Sequence, residues 1–249
     1  MKGVILCGGL GSRLRPMTLV TNKHLLPVYD RPMVHYPIQS LLNAGIDEIL
    51  IVTGGEHAGD FLKLLHNGKE LGCRRLQYAY QEGESGIAHA LKLAEDFSDG
   101  GRICVMLGDN IIGGNIREAA DGFRRQTKGA KILLKQVEDP ERFGVVRFED
   151  QRVAEILEKP KIPPSNMAVT GIYFYDEQVF DICRTLRPSA RGELEITDVN
   201  NHYLRRGILS FDTLEGWWTD AGTTESLYRA TRLAAEEGAN KLNAGLVAA

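Results

Sequence analysis

Short apolar runs alternate with helical spacings through the first half of the chain. Residues 3–7 (GVILC) form a continuous apolar run that stops at Gly8-Gly9. Within 33–44, apolar residues recur at Ile38, Leu41 and Leu42, a helical spacing that Gly45 ends. Runs at 48–53, 76–80, 103–107 and 131–137 read as strands, and 58–66, 87–97 and 116–125 read as helices. Continuous apolar strands separated by helices predict a parallel sheet covered on both faces. Right-handed crossovers make this a doubly wound, Rossmann-like α/β sheet, mostly parallel, whose ligands sit at the carboxyl ends of the strands.

The second half is more mixed. Strands are expected at 144–148, 153–157 and 169–175, and helices at 176–186, 196–206 and 223–237. No repeat or low-complexity tract interrupts the pattern. The expected organisation is one α/β domain over 1–237, with halves at about 1–130 and 131–237, and a short tail over 238–249. Residues 240–249 carry no firm signal and are expected to fray.

Composition narrows the function classes. The chain has 249 residues, 43% hydrophobic and 25% charged, enough to bury a sizeable core without staples. Thirty Lys and Arg against 33 Asp and Glu give a net charge of −3. That balance argues against nucleic acid or an anionic membrane as partner. No apolar run reaches the ~20 residues of a membrane span, and the first is too short for a signal peptide core. A soluble, cytoplasmic protein is expected. Cys7, Cys73, Cys104 and Cys183 lack CxxC spacing and read as buried thiols. The six histidines form no paired motif for a structural metal.

The residues that follow the strands carry the chemistry. Gly8-Gly9-Leu10-Gly11-Ser12-Arg13 follows the first strand, and such glycines let backbone N–H groups face a ligand. The loop contains neither a Walker motif nor the third glycine of the dinucleotide fingerprint, since Leu14 stands there. Arg13, Arg15 and Lys23 follow closely, and several cations suit a polyphosphate. Asp109 ends the run 103–107, where a carboxylate can hold Mg²⁺ or cap a helix. Asp220, in Trp217-Trp218-Thr219-Asp220, is a second candidate with the same two readings. Glu158 could accept bonds from hydroxyls. Lys159 and Arg191 are candidate phosphate contacts, each against a surface-charge alternative.

Several motifs in order then exceed chance. Gly8-Gly9-x-Gly11-Ser12-Arg13-Leu14-x-Pro16-x-Thr18 and Asn22-Lys23-x-Leu25-Leu26-Pro27-Val28 are followed by Gly108-Asp109-Asn110, Arg142-Phe143-Gly144-Val145-Val146, Glu158-Lys159-Pro160 and Gly192-Glu193-Leu194-Glu195-Ile196-Thr197-Asp198. Over residues 1 to about 235 the chain resembles the sugar-1-phosphate nucleotidyltransferases, most closely those that take dTTP and glucose 1-phosphate. The resemblance implies the nucleotide-diphospho-sugar transferase form of the fold, with a nucleotide-binding first half and a sugar-phosphate-binding second half. Leu6, Gly8, Gly9, Gly11 and Ser12 would line the nucleotide, and Gln81 and Gly86 would face thymine. Arg13 and Lys23 would hold the triphosphate, and Asp109 and Asp220 the Mg²⁺; these four would be the catalytic set. Gly144, Glu158, Val169 and Thr170 would line the sugar, with Lys159 and Arg191 on its phosphate.

Two departures from the family pattern limit what the resemblance implies, and the second lies beside the expected base site. His24 stands where relatives often carry Gln, and Gln81-Glu82-Gly83-Glu84-Ser85-Gly86-Ile87-Ala88-His89-Ala90 departs from the commoner Gln-x-x-Pro-x-Gly-Leu-Ala-Gln-Ala. UTP, or another sugar 1-phosphate, is therefore the alternative substrate. An NAD-dependent oxidoreductase, with Asp30 on a ribose, fits Arg13, Pro16 and Lys23 poorly. A non-catalytic nucleotide-binding regulatory protein is the alternative outside enzymes. The resemblance further implies a homo-oligomer. Longer relatives carry C-terminal helices that help form a tetramer and a second nucleotide site. A chain ending here is expected to be inhibited by its dTDP-sugar end product mainly at the active site.

Overall fold

A computed structural model describes residues 1–83 and 85–241. The first half runs β1 (Lys2–Cys7), β2 (Pro27–Val28), β3 (Arg31–Pro32), α1 (His35–Asn43), β4 (Glu48–Gly54), α2 (Ala58–Leu65), β5 (Arg75–Gln81), α3 (Ile87–Lys92), α4 (Glu95–Ser98), β6 (Ile103–Leu107), β7 (Asn110–Ile112), α5 (Arg117–Arg125) and β8 (Ala130–Gln136). The second half adds β9 (Gly144–Glu149), β10 (Arg152–Glu158), β11 (Met167–Tyr175), α6 (Val179–Thr185), α7 (Ile196–Arg205), β12 (Leu209–Thr213), β13 (Trp218–Asp220) and α8 (Thr224–Glu237). Short 3-10 turns at Ser12–Leu14, Met17–Leu19 and Lys23–Leu25 carry the chain from β1 to β2.

Nine strands form one sheet. Its first half is the parallel order β6-β1-β4-β5. β11 then pairs antiparallel with β6, β8 and β9, so the second half is built directly onto the first. Only β10 and β11 run against the other strands of this sheet, which makes it mostly parallel as expected. In register, Leu6 lies opposite Val52 and Leu107, so the ends of β1, β4 and β6 open on the same rim.

Alternation within the apolar strands explains the layers. Val4, Leu6 and Val105 pack with Leu91, Val179 and Val199 of α3, α6 and α7 on one face. Ile5, Cys7, Cys104 and Met106 pack with Ile38, Phe61 and Phe123 of α1, α2 and α5 on the other. Each large side chain so buried contributes roughly 1.5–3 kcal/mol. All four cysteines are buried free thiols.

The expected helix over 87–97 is two helices. Leu93 and Ala94 donate to the carbonyls of Ala90 and Leu91, bonds one residue shorter than in an α-helix. This tighter turn aligns Leu91 and Ala94, both fully buried, on the core. The helix expected from 176 begins at Val179, because Asp176 turns inward. Its carboxylate accepts from Tyr203 Oη at 2.7 Å and from the Gly129 N–H at 2.6 Å.

Asn240 and Lys241 belong to the fold rather than to a frayed tail. Their N–H groups donate to the carbonyls of Ile112 and Gly113, and the Asn240 side chain bonds Ser40 and Tyr36. The rest of the tail, 242–249, lies outside the described residues. No helix of the described residues is long and apolar enough to cross a membrane.

Candidate active site

A cavity of about 600 Å³ opens at the carboxyl ends of β1, β5 and β6. Its first wall is the glycine loop, with Leu6 and Leu107 beneath it at paired register positions. Gly8, Gly9, Gly11 and Ser12 line this wall, and the Gln81 side chain from the end of β5 lies against Gly8. Gly11 has φ +65°, and Thr18 Oγ1 donates to its carbonyl at 2.8 Å. The loop thus curls around the Lys23 stem.

Lys23 is not a free cation. Its Nζ lies 2.6 Å from Asp109 Oδ2, and both side chains are largely buried. Asp109 does not cap a helix. It stands between β6 and β7, and its Oδ1 accepts from Asn110 Nδ2 at 3.0 Å. Burial acts to raise the Asp109 pKa, but the charge of Lys23, together with its hydrogen bond and that of Asn110, outweighs it. The carboxyl is held well below its usual range.

Asp220 ends β13, which pairs with β7 so that Asp220 faces Asn110 in register. Here too the capping reading fails, since Thr223 caps α8 in a capping box with Ser226. Arg142 Nη2 donates to both Asp220 oxygens, at 2.9 and 3.1 Å, while its Nη1 donates to Asp139 at 2.6 Å. Burial raises the Asp220 pKa, and the nearby Asp109 charge adds to it; Arg142, Arg13 and Lys23 oppose.

Gly222 marks where these groups converge. A Cβ there would stand 3.0 Å from Arg13 Nη2, 3.0 Å from Asp220 Oδ2 and 3.5 Å from Asp109 Oδ2. Two carboxylate oxygens and a guanidinium therefore border one small space. Hard oxygen donors of this kind fit Mg²⁺, which takes one or two carboxylates and completes its shell with phosphate and water. No group of three or more His, Cys, Asp or Glu with metal-holding geometry occurs among the described residues.

His24 lies beneath the site. Its N–H and Nδ1 both contact Asn22 Oδ1, at 2.9 and 2.8 Å, and Asn22 in turn donates to the Cys7 carbonyl. Burial, with the charge of Lys23, pushes the His24 pKa down to about 3. The imidazole is neutral at physiological pH.

The far wall comes from the second half of the chain. Gly144, Glu158, Lys159, Val169 and Arg191 all line the cavity. Glu158 Oε2 accepts from Thr197 Oγ1 at 2.5 Å, and Lys159 Nζ lies 3.6 Å from Oε1 of the same carboxylate. Arg191 is gripped by Glu195, with Nε on Oε1 at 3.1 Å and Nη2 on Oε2 at 2.7 Å. It also reaches Glu158 and Glu193, each at 3.3 Å.

Thr170 is the exception among the expected site residues. It is fully buried in an irregularity of β11, and its hydroxyl donates to the Leu133 carbonyl at 3.0 Å. Its side chain supports the sheet and does not line the cavity.

The profile of the nucleotidyl transferase family matches residues 2–237. This chain belongs to that family. It is 46% identical over 234 residues to a glucose-1-phosphate thymidylyltransferase of Neisseria gonorrhoeae, covering 92% of this chain and 81% of that protein. An Actinoplanes enzyme of the same name is 46% identical over 92% of this chain and 77% of its own. A Bacillus anthracis protein assigned as a glucose-1-phosphate thymidylyltransferase, crystallised with sucrose, superposes with a TM-score of 0.91 at 52% identity, covering 95% and 96% of the two chains. A UDP-glucose pyrophosphorylase bound to UDP-glucose shares the fold, with a TM-score of 0.82 at 22% identity and coverage of 95% and 98%.

In and around the cavity stand residues that carried no assigned role in the sequence. Arg142, Thr197 and Glu195 hold Asp220, Glu158 and Arg191, and Trp218 Nε1 donates to Asn110 Oδ1 at 2.7 Å. Arg142 lies in a recognisable motif, but its partner is 78 residues away and no spacing announces the contact.

Proposed function

We propose that the cavity joins dTTP to glucose 1-phosphate, giving dTDP-glucose and pyrophosphate. The observation that carries this reading is the convergence of Arg13, Asp109 and Asp220 around Gly222, between the glycine loop and the wall that bears Lys159 and Arg191. The names of the relatives supply the substrates.

A sugar phosphate is already dianionic near neutral pH, because its second ionisation falls near pH 6. Its oxygen can attack the α-phosphorus in line without a general base. The obstacle is repulsion between two anions. Arg13 and Lys23 would bind the triphosphate, while Lys159 and Arg191 would bind the sugar phosphate and align it for attack. Glu158 would accept bonds from sugar hydroxyls, held in orientation by Thr197. Asp109 and Asp220 would hold Mg²⁺, which screens the phosphates and orients them. Gln81 and the Gly86 backbone would meet the base.

The same reading makes the enzyme a cytoplasmic homo-oligomer, which light scattering on the purified chain would test. The deciding experiment is pyrophosphate release over a panel of nucleoside triphosphates and sugar 1-phosphates, with Mg²⁺ or with EDTA. Turnover led by dTTP and glucose 1-phosphate, abolished by EDTA, is expected. Preference for UTP would transfer the reading to the other base. No turnover with any pair would leave the non-catalytic nucleotide-binding alternative.

A further inference from the structure

Two loops that line the cavity, far apart in sequence, are fastened to each other. The loop after β5 carries Gly86, at the proposed base end. The loop before α7 carries Arg191, at the proposed sugar-phosphate end. The Leu194 N–H donates to the Ser85 carbonyl at 3.0 Å, and the Ala88 N–H donates to the Leu194 carbonyl at 3.1 Å.

Gly86 sits at the centre of this junction with φ +92°. A Cβ there would stand 2.6 Å from the Leu194 carbonyl oxygen, 2.7 Å from its nitrogen and 3.1 Å from Glu193 Cβ. The obstructing atoms are mostly backbone, so they yield only if the whole loop moves. That loop is itself closed tightly. Ser189 N–H donates to the Glu193 carbonyl at 2.8 Å, and Glu193 and Glu195 both hold Arg191. A displacement at Gly86 therefore passes through Glu193 to the Arg191 guanidinium.

We infer that the Gly86–Leu194 junction couples the two substrate ends, so that occupancy of the base end fixes Arg191 for the sugar phosphate. This rests on the substrate reading above. Gly86 is then a positioning residue for the sugar phosphate as well as a neighbour of the base. By thermodynamic reciprocity, each ligand tightens the other through the junction.

Thymidine isolates this effect, because it fills the base end without phosphate charge or metal. Calorimetry would measure the Kd of glucose 1-phosphate with and without saturating thymidine, on the wild type, Gly86→Ala and Gly83→Ala. Gly83 lies in the same loop, also at a positive φ of +67°, and no described atom lies within 4 Å of its Cβ position, so it controls for an added methyl at a positive-φ glycine that does not touch Leu194. Thymidine is expected to lower the Kd at least about five-fold in the wild type and in Gly83→Ala, and to leave it unchanged in Gly86→Ala. Gly86→Ala should also weaken glucose 1-phosphate binding when thymidine is absent.

A wild-type Kd indifferent to thymidine overturns the coupling, even if Gly86→Ala fails to fold. So does a Gly86→Ala protein that loses thymidine affinity alone, or a Gly83→Ala protein that loses the effect equally. If the wild type binds neither ligand, the substrate reading falls and the coupling falls with it.

Discussion

Lys23 Nζ and Asp109 Oδ2 lie 2.6 Å apart across 86 residues of sequence, and under the proposed function each would take a second duty toward substrate or metal. Binding must therefore exchange partners rather than fill an idle pocket. The pair is largely buried, so removing either member leaves an uncompensated charge, a loss of about 3–5 kcal/mol.

Asp109→Asn is expected to reduce turnover by at least about 100-fold while the protein stays folded, because the amide retains shape but not charge. Asp220→Asn should behave alike. Steady-state rates across a Mg²⁺ titration check this. Near-normal rates in both variants at limiting Mg²⁺ would remove the two carboxylates from the metal.

Arg142→Lys tests the support of Asp220. The guanidinium serves Asp139 and both Asp220 oxygens at once, and a single ammonium cannot reproduce that fork. The Mg²⁺ concentration for half-maximal rate should rise about ten-fold, with little change in melting temperature. An unchanged Mg²⁺ dependence would mean that Asp220 is held without Arg142.

His24 imposes a pH slope on stability. Its folded pKa of about 3 lies below the ordinary 6.5. As pH falls below 6.5 the unfolded chain takes up the proton first, so this group favours unfolding progressively until its folded pKa is reached. The contribution reaches about 2 kcal/mol at pH 5. Denaturant unfolding at pH 7 and pH 5 should show the His24→Gln protein losing less stability than the wild type by that amount. Parallel losses in the two proteins would contradict it.

At the sugar-phosphate end, Lys159→Ala should raise the KM for glucose 1-phosphate about ten-fold and leave that for dTTP nearly unchanged. Glu195→Gln should produce the same split, because it keeps the contact shape but loosens the grip on Arg191. Equal rises for both substrates would argue against a division of labour between the walls.

The sequence pattern made the fold legible wherever burial was two-sided. The run 103–107 is β6 without change, and 48–53 is β4 to within one residue. The strands β7 and β13 escaped because they are only three residues long, and β12 because Ser210 and Asp212 leave it without a continuous apolar run. Cavity-lining residues were legible where motifs cluster in sequence, as at Gly8 to Arg13. Thr170 was misplaced because a strand irregularity turns its hydroxyl toward β8. Arg142 and Thr197 hold the Asp220 and Glu158 carboxylates and Glu195 holds the Arg191 guanidinium, each by direct contact, and nothing in their local sequence announces the partner.

The antiparallel seating of β11 against β6 also bears on any attempt to divide the chain. Ile103, Cys104, Val105 and Met106 are wholly shielded, and β11 covers one hydrogen-bonding side of that strand. A fragment comprising 1–130 would lack this cover. It would present a bare, apolar edge with unpaired N–H and C=O groups, the form that recruits further strands. Such a fragment is better described as an aggregation template than as half an enzyme. Co-expression with the complementary piece would be the way to keep it soluble.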